Sequence, residues 1–170
     1  IDLVPRDEAT PISGGLSAAR TQRYALDGYT GHRGKVLGGS VFAQAHWAKG
    51  AYPYFTDNGT PYTRLDDRWR VRENNQSWQG AALGRVRARL GDTSLTLLDA
   101  FVRRREGLPG HVNNPSHTAA MDTVRNLLGL RSESSLGDHK LTATGWWLQS
   151  TATYDDRDDE LGLGAQWERQ

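Results

Sequence analysis

Arginine stands at 85, 87 and 89 and again at 103, 104 and 105, with Val86 and Ala88 between the first three. Guanidinium groups at alternate positions can grip carboxylates or phosphates through paired hydrogen bonds, provided the backbone holds them on one face. A helix would scatter them around its circumference. A strand lines them up, because successive side chains point to opposite sides. A second set lies upstream, where Tyr52, Tyr54, Phe55, Tyr62 and Trp69 are interleaved with Arg64, Arg68, Arg70 and Arg72. Aromatic faces and cations in one loop can stack on a ligand and pair with its anionic groups. The candidate ligand contacts are therefore Tyr52, Tyr54, Phe55, Tyr62, Arg64, Arg68 and Trp69. The same rings could instead anchor the loop at a membrane boundary, since Tyr carries an apolar body and a polar tip.

Other reactive types lack the spacing their chemistry needs. His32, His46, His111, His117 and His139 are scattered, and the six-residue step from His111 to His117 matches no zinc pattern. Asp155, Asp156, Asp158, Asp159 and Glu160 cluster without the calcium-loop arrangement and read as a solvated acidic loop. There is no nucleophile elbow, phosphate loop or supported triad. No enzyme activity, metal or cofactor is expected.

The elements that would position the arginines are strands. Residues 36–49, 77–90 and 94–105 alternate with period two, and 161–168 do so again. Stretches 14–29, 119–132 and 139–154 read as strands with poorer alternation; Asp122 and Asn126 share a side with Val124 and Leu128. Candidates of 12 to 16 residues exceed the usual soluble strand. Short Gly- or Asp-bearing turns fall at 31–35, 91–94 and 134–138, and long polar links at 50–76, 106–118 and 155–160. Short and long alternate, so a meander would gather all long links at one end and all short turns at the other. The period sets Ala82, Val86, Ala88 and Trp78 on one side of the sheet. Arg85, Arg87 and Arg89 then stand on the other, with Asp99 and Arg103 expected beside them, facing a wet lumen.

Composition narrows the field. Lys and Arg total 21 against 20 Asp and Glu, which gives no general case for nucleic acid as a partner. The absence of cysteine removes disulfide and thiol chemistry. The 19 glycines, the mean hydropathy of −0.69 and the six Trp and six Tyr suit a sheet at a wet–apolar boundary better than a dry core. A soluble, glycine-rich antiparallel sheet with one solvated face meets the same pattern.

The opening "IDLVPRDE", the stretch from "YPYFTDNGTPYTR" through "RENN", and "RRREGLPG" together resemble a TonB-dependent outer-membrane transporter, from the end of its plug into its first barrel strands. The resemblance implies an all-β fold, an antiparallel up-and-down meander forming part of a large transmembrane β-barrel. Residues 1–10 would be the plug's tail and crossover, and 11–170 the first six to seven barrel strands. It implies import of a scarce nutrient chelate, such as a siderophore or cobalamin, across the bacterial outer membrane. The implied partners are the rest of the barrel and plug, outer-membrane lipid and the energising TonB–ExbB–ExbD complex. The chain is accordingly expected to be a fragment. A soluble or surface-attached β-sandwich, or a small eight-stranded barrel, serving a binding or structural role, is the alternative.

Overall fold

The computed structural model describes residues 12–19, 22–60, 62–111, 114–156 and 167–168. The expected plug tail, most of the acidic loop and most of the 161–168 strand lie outside these. The main sheet contains β1 (Ile12–Ala19), β2 (Arg23–Arg33), β3 (Leu37–Ala48), β6 (Ser77–Leu90), β7 (Thr93–Gly107), β10 (Ala120–Leu136), β11 (His139–Asp155) and β12 (Trp167–Glu168). Two small hairpins sit in the links: β4 (Pro53–Thr56) with β5 (Arg68–Val71), and β8 (Gly110–His111) with β9 (Asn114–Pro115).

The eight strands follow one another across the sheet in chain order, every pair antiparallel. β1 and β12 are the edges, so the meander is open. The links 49–76 and 108–119 leave one end, as does the chain after β11; the reversals at 34–36, 91–92 and 137–138 occupy the other. The expected segregation of long links from short turns holds for these connections. One short reversal, around Gln22, sits at the long-link end.

That reversal corrects the reading of 14–29 as one strand. The chain turns at Gln22, whose φ is 55° and whose N–H donates to Ala19 O at 3.0 Å. The register pairs Leu16 with Leu26 and Ala18 with Tyr24. Even-numbered apolar residues therefore share a face on both sides of the turn, and the alternation runs through it without a visible break.

The sheet is a single layer. Among the described residues no large side chain is fully buried, and only Ala119 and Thr56 count as a buried hydrophobic and a buried polar residue. Ile12, Leu16, Leu26, Val86, Trp78, Trp146 and Trp147 are among the many large apolar side chains left exposed. Nothing described covers either face.

Candidate functional site

Directly paired residues of an antiparallel ladder point to the same side, so the register assigns every strand residue to a face. One face carries Val41, Ala43, Ala45 and Trp47 on β3, Trp78, Ala82 and Val86 on β6, and Leu97 and Phe101 on β7. It continues through Leu128, Leu130 and Trp147 on β10 and β11, and through Tyr24, Leu26 and Leu16 on β2 and β1. We call this the band face. Arg85, Arg87 and Arg89 stand on the other, the arginine face. Its residues from Ser77 to Arg87 on β6 are half-buried, whereas Ala82 and Val86 opposite are exposed.

The apolar band crosses the sheet on a diagonal. On β2 it takes the half near the long links, Tyr24 and Leu26, and leaves the turn half to Thr30 and His32. On β11 it takes the turn half, Leu141 to Trp147, and leaves the link half to Gln149, Thr151 and Thr153. Its centre shifts by roughly one to one and a half residues per strand. With ~3.3 Å per residue and ~4.8 Å between strands, the strands cross the band at about 35–45°. An apolar layer of uniform thickness meeting tilted strands gives this offset.

The arginines do not all share a face. Arg85 pairs with Leu98, and Gly84 with Asp99; Gly80 pairs with Arg103 and Trp78 with Arg105. Asp99 and Arg103 therefore lie on the band face, opposite Arg85, Arg87 and Arg89, and the expected single cluster of five is divided. The cause is the two-residue turn at Gly91–Asp92, which pairs Leu90 with Thr93 and so brings odd-numbered residues of β6 against even-numbered residues of β7. Arg103 meets Asp122 across the ladder to β10, with Nη2–Oδ2 at 2.7 Å and Nε–Oδ1 at 3.2 Å. This bidentate pair sits on the long-link side of the band. Asp122 and Asn126 share the band face with Val124 and Leu128, as their spacing suggested.

The arginine face is not uniformly polar. One row runs Tyr29, Phe42, Leu83, Ala100, Leu127 and Leu148 across six strands without a polar interruption beyond the tyrosine hydroxyl. The row is not legible in the sequence because each strand contributes a single member to it. Only the register joins them.

The long-link end is held by a compact set of backbone contacts. Asn74, at φ 51°, donates from Nδ2 to Leu108 O at 3.1 Å and to Ala119 O at 2.8 Å. Gly107 N–H donates to Gln76 O at 2.8 Å, and a Cβ on Gly107 would lie 2.5 Å from Asn74 Oδ1 and 2.6 Å from Asn74 O. Only glycine lets β7 approach the 74–76 segment this closely. His117 Nδ1 lies 3.2 Å from Glu73 Oε2, and Arg72 donates to Gly110 O, so the two links lean on each other.

The candidate ligand loop is partly assembled. Phe55 and Trp69 face each other across the β4–β5 hairpin, edge to face at 5.7 Å. The Arg72 guanidinium lies over the Tyr54 ring at 5.9 Å, so a residue outside the candidate set supplies the cation. Tyr52, Arg64 and Arg68 are exposed, and Tyr62 is entirely so. The hairpin tip is ordered by Thr60 Oγ1, which donates to Asp66 at 2.8 Å, and by Asn58 Nδ2, 3.3 Å from the same carboxylate. These bonds, the Thr60 one foremost, hold the Asp66 carboxyl below its ordinary range. Among the described residues no group of three His, Asp or Glu side chains is placed to hold a metal.

No family model, curated protein or solved structure matches this chain.

Proposed function

We propose that the chain is a wall segment of a transmembrane β-barrel in the bacterial outer membrane, and that the barrel is a TonB-dependent importer of a scarce nutrient chelate. The observation that carries the membrane reading is the diagonal apolar band on one face of a coreless, single-layer meander. In water that face would be a continuous exposed patch far larger than a soluble monomer tolerates. Against hydrocarbon it is the stable arrangement, and the offset matches the ~35–45° tilt of transmembrane strands. β6, β7, β10 and β11 run 14 to 17 residues, longer than the roughly 9–11 needed to span, so their ends stand clear of the bilayer.

The open edges support membership of a larger barrel, because lipid supplies no partners for unpaired backbone groups. The apolar row on the arginine face supports an interior filled by protein rather than by water alone, as a plug would fill it. Importer, TonB coupling and chelate rest on the sequence resemblance. The Phe55–Trp69 pair and the Tyr54–Arg72 stack place aromatic and cationic surface on the long-link side, where substrate would arrive.

Spin labels at 82 and 86, and at 81 and 85, in the intact polypeptide reconstituted into lipid test this reading. Labels at 82 and 86 should be relaxed by dissolved oxygen and shielded from a water-soluble nickel chelate. Labels at 81 and 85 should be shielded from the bilayer. Reversed accessibility, or water contact at all four, would overturn the membrane reading in favour of the soluble sandwich.

A further inference from the structure

The β4–β5 hairpin turns its polar side to the molecule and its apolar side away. Its register puts Pro53, Phe55, Trp69 and Val71 on one side and Tyr54, Thr56, Arg68 and Arg70 on the other. Arg72, whose N–H donates to Tyr52 O at 2.9 Å, continues the polar side. That side is the one engaged. Thr56 is 5% exposed, its Oγ1 accepting from Asn58 N–H at 3.1 Å, and Arg70 donates to Asn58 Oδ1 at 3.0 Å. Arg72 lies over Tyr54 and donates to Gly110 O, so the polar side leans on the 108–119 link. The apolar side is left open: Trp69 is 70% exposed, Val71 57% and Phe55 56%.

A two-stranded hairpin is marginal by itself and ordinarily turns its apolar side inward. Here hydrogen bonds and a cation hold the polar side, and four apolar side chains meet whatever lies outside. They offer roughly 400 Å², well short of the ~800 Å² per partner that a stable protein interface or a second copy needs. A small ligand fits that area. Phe55 and Trp69 stand edge to face, at 66° and 5.7 Å between centroids, which leaves a face of the indole free for an offset stack. The register turns Arg68, Arg70 and Arg72 to the opposite side, so no charge on these strands stands beside the rings.

We propose that this open side holds a small ligand through a neutral planar ring, stacked on Trp69, met at its edge by Phe55 and flanked by Pro53 and Val71. On the importer reading, on which this rests, the ring belongs to the imported substrate. The part of the substrate gripped here is then uncharged and flat, while Arg70 and Arg72 serve the hairpin's own fold.

Saturation-transfer NMR on the intact polypeptide in lipid nanodiscs tests it, with caffeine as a neutral planar probe and citrate as an anionic one. Caffeine should bind with a Kd of about 10 mM or below, and about threefold or more tighter than it binds free N-acetyltryptophanamide. Citrate should not displace it. Trp69→Leu should weaken caffeine binding by about fivefold or more, through loss of the stacking surface. If the hairpin does not form without that ring, Val71→Ser, which keeps both rings, should still weaken it by about twofold. Affinity no better than for the free indole, displacement by citrate, or indifference to both substitutions would overturn the proposal. So would broadening of the Trp69 indole N–H by headgroup spin-labelled lipid as strongly as that of Trp78, which would make the hairpin a membrane anchor. A Trp69 signal that moves with protein concentration would assign the open side to a second copy and overturn it too. Caffeine reads the hairpin whether or not the band face meets lipid, so labels at 82 and 86 that contradicted the membrane reading would leave this result standing.

Discussion

β6 and β7 are neighbours of similar length and similar alternation, yet their sequences are not equally readable. In β6 the arginines at 85, 87 and 89 stand opposite Ala82, Val86 and Trp78, as the period requires. In β7 the same period gives an apolar set, Leu98, Ala100 and Val102, against a mixed one, Leu97, Asp99, Phe101 and Arg103, and so suggests the wrong set for the band face. Pairing decides: Leu83 meets Ala100 and Ala82 meets Phe101. Alternation fixes the period of a strand, whereas its phase comes from the turn that joins it to its neighbour.

The sharpest way to break this comparison is to put a charge on each face at one height. Ala82→Arg and Phe101→Arg should each cost about 2–4 kcal/mol if they lie near the bilayer midplane. Ala100→Arg, on the opposite face and one residue away, should cost clearly less than Phe101→Arg. Unfolding of the intact polypeptide from lipid vesicles by denaturant measures all three. A larger penalty at 100 than at 101 would restore the phase suggested by sequence and refute the register.

These contrasts show what was legible. The strands at 36–49, 77–90 and 94–105, and the placement of long links at one end, follow from period and turn residues, because both are local. The division of Asp99 and Arg103 from Arg85 and the row from Tyr29 to Leu148 depend on register across several strands. No single segment encodes them. The turn at Gln22 was hidden for the converse reason: its register keeps Leu16 and Leu26 in phase, so the pattern gives no sign of the reversal. Of the candidate loop, the Phe55–Trp69 pair needs only a hairpin, while Arg72 over Tyr54 needs the hairpin's register as well.

The two ends of the sheet should also differ in how they tolerate a methyl group. Gly107→Ala places a Cβ against Asn74 backbone, which cannot give way without moving the 74–76 segment, and should cost about 1–3 kcal/mol as overpacking does. Gly91→Ala, at φ 60° with nothing within 4 Å, meets only the backbone penalty and should cost about 1 kcal/mol. Chemical unfolding of the two variants compares them. Equal costs would mean that the close approach at Gly107 relaxes freely.

The smallest expected effect concerns the hairpin tip. Asp66 accepts from Thr60 and Asn58 in its charged form, so folding depresses its pKa. A depressed carboxyl contributes order above its unfolded pKa, and the contribution is lost as pH falls through the folded value. The tip should therefore stay ordered at neutral pH and loosen only in acid below the ordinary aspartate range. The hairpin tip lies at the surface, so solvent screens the interaction and global stability should barely respond. A site-resolved NMR titration of the Asp66 carboxyl carbon, in the intact polypeptide, reads the effect directly. Thr60→Val removes the donor that does most to depress the Asp66 pKa and should move the midpoint upward toward the ordinary range. Asn58→Ala should move it in the same direction by less, because its 3.3 Å contact is longer than the 2.8 Å bond from Thr60. A midpoint unchanged by Thr60→Val would mean that Asp66 owes its shift to Asn58, its own backbone N–H or the neighbouring Arg68 charge instead, and only the Arg68 contribution would weaken as the salt concentration rises.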